Sequence, residues 1–287
     1  MSKVNSLPMS LLFKLSPRGG HQSVFQPGEH GIHWLGLEIL RLEAGESWQG
    51  DLGEEEAALV ILGGHCTISV QGEQTGKWAG LGGRGDAFSG LATTVYAARQ
   101  SKLEVTAESK LELAIIKAPC EADLPPTLIA PGDVKAVSSG MANWQRDVRL
   151  IIPPGSPVSW RLIVGETLNP PGNWSGIPPH KHDEVNAGEN ILEEFYLFKT
   201  KPADGYAVQL VYRDGEGQGH IVGNDDVVLF LSSYHPTVAP PGTMVCYLWA
   251  LSGTCKAYGI TIDPRFDWVS DAEASSRRGT IASLEES

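Results

Sequence analysis

Positive charge is scarce in this chain of 287 residues: Lys and Arg number 22 against 34 Asp and Glu, and the formal net charge is −12. No cluster of Lys and Arg forms a stripe that would neutralise phosphates, which argues against nucleic acid as a partner. Cysteine is scarce too. Cys66, Cys120, Cys246 and Cys255 lie far apart or between apolar residues and form no CxxC pair, the pattern of buried free thiols in a reducing compartment and not of a disulfide framework. Long apolar runs are missing. The longest stretch without Asp, Glu, Lys or Arg, Val227 to Cys255, is broken by His235, Pro236, Pro240, Pro241 and several serines, so it does not span a bilayer. Near the start, "LPMSLLF" is apolar but short, ends at Lys14 and is followed by no small-residue cleavage site. These absences predict a cytoplasmic enzyme or binding protein with no nucleic-acid and no membrane partner.

Turn chemistry, by contrast, is abundant. Gly 33 and Pro 19 are scattered without period through a chain that is 41% hydrophobic, enough apolar material for a core divided among short strands. From Trp34 to Lys117 the segments "WLGLEILRL", "ALVILGG", "HCTISVQG", "TTVYAA", "KLEVTAE" and "LELAIIK" read as strands. After a loop rich in Pro, Gly and Ser, a second set follows, including "VRLIIP", "WRLIVGETL", "EFYLF", "YAVQLVY", "DVVLFL" and "MVCYLWAL". Each half has a Glu opening a strand ("EEEAALVILGG" and "LEEFYLF"), then a hairpin, a Gly-x-Asp turn and another strand, as a duplicated small β-barrel would leave behind. The expected architecture is all-β, with one barrel over residues 1–130, a second over 131–270, and a mobile polar tail over 271–287.

The segment "PPHKHDEVNAGENILEEFYLF" concentrates the chemistry. On a strand His180 and His182 share one face, roughly 7 Å apart, with Lys181 on the other. Pro178 and Pro179 keep a helix out of the approach. "LEEFYLF" supplies a carboxylate at a strand start, Glu194, with Glu193 as the one-residue register alternative. Of the remaining histidines, His235 at a strand end before a proline-rich turn is a better fourth ligand than His220. Three imidazoles and a carboxylate suit Zn, Mn, Fe, Co or Ni and leave room for water or substrate. A His-x-His pair alone is weak; its acidic strand start and later histidine make it a site.

This order of ligands resembles the metal site of the cupin superfamily, although eleven residues, Asp183 to Glu193, separate His182 from Glu194 where the superfamily's motif has a short spacer. The strings "PPHKHD", "LEEFYLF", "GYAVQLVYRD", "VGNDDVVLFLSSYHPTVAPPGTMVCYLWALSG" and "DPRFDW" look like the 5-deoxy-glucuronate isomerase family of bacterial inositol catabolism, two-cupin proteins, and more distantly the pectin-pathway isomerases of 4-deoxy-5-hexosulose uronate. The resemblance implies a duplicated cupin that isomerises the aldose 5-deoxy-glucuronate to the ketose 2-deoxy-5-keto-gluconate. It also implies one divalent ion, Zn or Mn ahead of Fe, Co or Ni, on His180, His182, Glu194 and His235, and it leaves room for a homo-oligomer.

An isomerase of a sugar acid needs a base near the moving hydrogen and a cation for the carboxylate. Glu194, Asp183, Glu184 and Tyr234 are candidates for the first; Arg213, Lys181 and Lys199 for the second. Tyr196, Tyr212 and Phe198 line the cavity or fill the core. In the first half no histidine lies between His33 and His65, so Glu56 stands without imidazoles, and a metal-free barrel serving packing and assembly is expected. The enlarged loop 183–193 reads as a lid or specificity element. "GLGGRG" fails its context as a dinucleotide loop, since no apolar strand precedes it, and "RGD" at Arg84 to Asp86 reads as chance. An iron-dependent dioxygenase or oxidase and a sugar-binding bicupin without catalysis are the competing functions.

Overall fold

A computed structural model describes residues 8–186 and 188–272. The expected tail falls almost wholly outside them. The chain forms two β-sandwiches, every strand pairing antiparallel. In the first, a six-stranded sheet runs in the order Thr127–Ile129, Thr94–Ala97, Glu55–Gly63, Leu111–Pro119, Gly36–Leu42, Gly20–Phe25 and faces a four-stranded sheet, Ser47–Asp51, Lys102–Ala107, His65–Gln71, Gly76–Gly82. In the second, a seven-stranded sheet contains Asp226–Phe230, Leu192–Lys201, Met244–Gly253, Ile163–Asn169, Arg146–Ile152 and Lys135–Ser139, and its four-stranded partner includes Ala207–Arg213 and Glu216–Val222. The all-β duplication expected from the strand grammar is present. The chain crosses from one sandwich to the other between Ile129 and Lys135.

One strand departs from that division. Ser10–Lys14, assigned by sequence to the first barrel, completes the edge of the second barrel's large sheet, pairing with Asp226–Phe230. Leu11 and Phe13 pack against the core between the barrels and Leu12 against the second barrel's interior, while Lys14 pairs with Asp226. The strand thus buries apolar side chains on both faces and closes an edge that would otherwise stay unpaired. A pairing across more than two hundred residues leaves no local signal.

Alternation along the central strands explains why their sequences are apolar throughout. In Glu55–Gly63, Ala57, Leu59 and Ile61 fill the first barrel while Ala58, Val60 and Leu62 pack outward against the other domain. In Leu192–Lys201, Tyr196 and Phe198 face the second barrel and Phe195 and Leu197 face the first domain. The two large sheets therefore share one apolar layer, in which Phe25 and Phe195 meet edge to face with centroids 5.6 Å apart. Burial of each such ring stabilises by about 1.5–3 kcal/mol, which makes the pair of barrels one packed body. Buried beside that layer, Arg84 of the "RGD" string forms a two-pronged ion pair with Glu166 of the other domain, at 2.5 and 2.9 Å. Arg84 is a domain-joining residue, which the tripeptide alone does not reveal.

Candidate functional site

Three elements of the second barrel converge. The short strand His180–Lys181, held by pairing with Thr261–Ile262, delivers His182 immediately after it. Leu192–Lys201 brings Glu194 inward, and the turn after Asp226–Phe230 brings His235. The ligand atoms of His182, Glu194 and His235 lie within 4.8 Å of one another, and all three residues are buried.

Hydrogen bonds fix how these rings point. His182 Nδ1 lies 2.7 Å from the Leu192 carbonyl, His235 Nδ1 2.9 Å from the Ser233 carbonyl and His180 Nδ1 3.0 Å from the Pro178 carbonyl. A carbonyl oxygen only accepts, so each Nδ1 carries the proton and each neutral ring keeps its Nε2 lone pair free, the tautomer a metal-binding histidine needs. His182 Nε2 and His235 Nε2 then stand 3.0 and 3.1 Å from the same Glu194 oxygen, Oε2. Two lone pairs and an anionic oxygen turned on one point are held together only by a cation or by a proton on a ring. His235 Nε2 is also a buried atom with no hydrogen-bond partner. Nitrogen and carboxylate donors of this kind fit a divalent transition metal.

The electrostatics agree with that fit. Burial raises the Glu194 carboxyl, but the neighbouring His182 and His235 rings outweigh it and hold the carboxyl down at about 2. For His182, burial favours the neutral ring and Glu194 overrides it, raising the imidazole. His180 goes the other way, down to about 3, through burial and the charge of His235. Its Nε2 sits 3.1 Å from the Tyr258 hydroxyl, at the rim of the cluster and outside the tight triad.

Beside the triad lies a cavity of about 330 Å³ whose wall includes His180, Glu194, Tyr196, Tyr247, Trp249 and Tyr258. Arg146, Val148 and Leu150, alternate residues of one strand, form another side of it. Burial and the Glu194 charge raise Tyr258, although nearly half of that residue's surface stays exposed. The Tyr247 hydroxyl donates to Ser175 and the Trp249 indole to Thr167, so the aromatic wall is anchored.

The sequence-predicted cations lie elsewhere. Lys181 binds Glu189 through both carboxylate oxygens and Asp183 through one, each at 3.0 Å. Arg213 binds Asp183, Glu184 and Ser232, and Lys199 binds Glu112 and Asp225. Asp183 and Glu184 are thereby committed to these pairs. Tyr234 stacks on Tyr212 with ring centroids 5.3 Å apart, and neither lines the cavity; Phe198 is core. Buried Glu189 holds the enlarged loop together, accepting from the backbone of Asp183 and Glu184 and from Asn186, and ties it to the histidine strand through Lys181.

Glu193, the register alternative, faces away from the triad. It accepts from three successive backbone N–H groups of the first domain, His33, Trp34 and Leu35, at 2.5–3.0 Å. Sequence reasoning missed Arg146 and Tyr258. Arg146 lies just ahead of the string "VRLIIP", and a charged residue at a strand start has no mark that separates a cavity wall from solvent.

Comparison with known proteins places these features in a family. The KduI/IolB family pattern matches residues 13–269. The chain is 35% identical over 256 residues to the 5-deoxy-glucuronate isomerase of Geobacillus kaustophilus, covering 88% of this chain and 91% of that protein. It is 31% identical over 242 residues to the 5-deoxy-glucuronate isomerase of Bacillus subtilis, covering 83% and 88% respectively. Among solved structures, an IolB-like protein from Salmonella typhimurium superposes with a TM-score of 0.86 at 30% identity, over 91% of this chain and 99% of that one. An oxalate decarboxylase from Lactobacillus farciminis, 12% identical over 91% of this chain and 90% of that one, shares the bicupin fold with a TM-score of 0.64. With its family pattern matched from residue 13 to 269, the chain belongs to the KduI/IolB family.

Proposed function

We propose that this protein is a metal-dependent aldose–ketose isomerase converting 5-deoxy-glucuronate to 2-deoxy-5-keto-gluconate, as a cytoplasmic step of inositol catabolism. The observation that carries the reading is the convergence of His182, Glu194 and His235, each histidine locked by its Nδ1, beside a small cavity that Glu194 lines. The names of the relatives support the substrate. At about 330 Å³ the cavity lies at the low end of the usual range for ligand sites, as a six-carbon acid requires.

His182, Glu194 and His235 would hold the ion, with His180 from the rim as the fourth ligand and Zn or Mn as the metal. A divalent ion there would supply a Lewis acid to stabilise the negative charge that develops as hydrogen moves between C1 and C2 of an aldose. The residues do the rest. Glu194 and Tyr258 are the groups of the cavity wall able to accept or hand on a proton within hydrogen-bond reach of bound sugar. Leu150, Ile163, Trp249 and Leu251 give that wall its apolar character and exclude bulk water. In the first barrel Glu56 accepts from backbone N–H groups of Trp160, Arg161 and Leu162 in the other domain, and Ala57 after it is packed among leucines and isoleucines, which supports a role in packing and assembly.

The test is conversion of 5-deoxy-glucuronate followed by NMR without oxygen, before and after a chelator. The reading expects turnover in the absence of oxygen that stops with chelation and returns with Zn or Mn. Consumption of oxygen with bound iron, and no ketose formed, would instead fit a dioxygenase.

A further inference from the structure

The isomerase reading requires a cation for the substrate's carboxylate, and the three cations expected from the sequence are spent on other partners. We propose that Arg146 is the carboxylate anchor, an inference that rests on the function proposed above. Among the described residues, Arg146 is the only Lys or Arg in the wall of the cavity that holds Glu194 and His180.

Its hydrogen bonding leaves it available. Arg41, Arg84, Arg99, Arg149, Arg161, Arg213 and Arg265 each form an ion pair with a carboxylate. Arg146 instead donates to two backbone carbonyls, Nη1 to Trp144 at 3.2 Å and Nη2 to Ile177 at 3.1 Å. Those bonds position the guanidinium without neutralising it, and among the described residues three of its five N–H groups stay unassigned. A planar fork of this kind matches a carboxylate in a way a point charge does not.

The surroundings are shaped around this head. Gly140, with φ +81°, lies so near that a Cβ there would stand 2.2 Å from the Trp144 oxygen and 2.7 Å from Arg146 Nη1. Ile177, whose carbonyl Arg146 holds, is followed by Pro178, whose carbonyl His180 holds, so one short segment ties the cation to the histidine strand. The charge also reaches the cavity's tyrosines: burial raises Tyr196, Tyr247 and Tyr258, and Arg146 opposes that rise at all three. A sugar acid bound at the triad by its aldehyde end therefore meets one fixed positive charge along the cavity wall, without an ion-pair partner among the described residues.

The test is calorimetric binding to the protein as purified, with metal content recorded, using D-glucuronate, its uncharged methyl ester and D-glucose. Wild type is expected to favour glucuronate over the ester. Arg146→Gln is expected to weaken glucuronate on the order of 10- to 100-fold while leaving glucose and metal stoichiometry unchanged, with partial recovery in Arg146→Lys. Equal weakening of glucuronate and glucose, or none of either, overturns the assignment. Should Arg146→Gln fail to fold, equal wild-type affinity for glucuronate and its ester overturns it without a variant. Turnover is scored separately: anchored binding without isomerisation would defeat the isomerase reading alone, and isomerisation with binding indifferent to Arg146 would defeat the anchor alone.

Discussion

Glu193 and Glu194 are adjacent on one strand and face opposite sides of it, the first holding the neighbouring domain and the second meeting the two buried histidines. Glu56 repeats the first of these roles with the domains exchanged. It accepts from the backbone N–H groups of Trp160, Arg161 and Leu162 at 2.6–2.9 Å and from the Tyr96 hydroxyl at 2.7 Å. The duplicated glutamate noticed in the sequence is thus Glu56 with Glu193, a reciprocal clasp, and the first-barrel counterpart of Glu194 is Ala57.

Removing charge from the clasp and from the site should separate the two roles. Glu193→Gln and Glu56→Gln each replace a buried acceptor of three backbone donors and are expected to cost about 2–3 kcal/mol in denaturant unfolding. Glu193→Gln should retain bound metal. Glu194→Gln should lose metal, and loss of metal from both variants alike would show that the register assignment is wrong.

Tyr258→Phe should keep the metal and lower turnover by on the order of 10²-fold, because it removes the hydroxyl bonded to His180 Nε2 in the cavity wall. Tyr234→Phe should leave turnover near wild type, as that ring stacks on Tyr212 away from the cavity. Steady-state kinetics beside metal analysis read both, and the reverse pattern would restore Tyr234 as the proton-handling residue.

Lys256 sets a pH dependence of stability. Its ammonium donates to the carbonyls of Ser156 and Ser159 and to the Ser159 hydroxyl, and burial brings it down to about 8 against the partial opposition of Glu56. Unfolded, a lysine titrates at about 10.4, so between the two values the unfolded chain binds more protons and stability rises with pH. Denaturation midpoints compared from about pH 8 to pH 10 should increase in wild type relative to Lys256→Met. A difference that stays flat across this window would remove Lys256 as the cause.

Much of the fold was legible because each central strand is a short apolar run between turn residues. Strands with weaker patterns carry no such signal: Ser47–Asp51 alternates exposed and half-buried positions, and Gly76–Gly82 buries only Leu81. Ser10–Lys14 was read with the wrong barrel because its partner, Asp226–Phe230, lies at the other end of the chain. At the site, the residues of the triad follow from ligand chemistry and strand alternation. The cations do not: Lys181 and Arg213 look available until the fold sets Asp183, Glu184 and Glu189 against them, and Arg146 looks ordinary until the cavity closes around it.

The most direct measurement is metal stoichiometry and anaerobic conversion of 5-deoxy-glucuronate, made side by side on wild type and His182→Ala. The expected result is about one divalent ion per wild-type chain with ketose formed, and loss of both together in the variant. A His182→Ala protein that still isomerises the substrate without metal would contradict the assignment of the reaction to the His182, Glu194 and His235 centre.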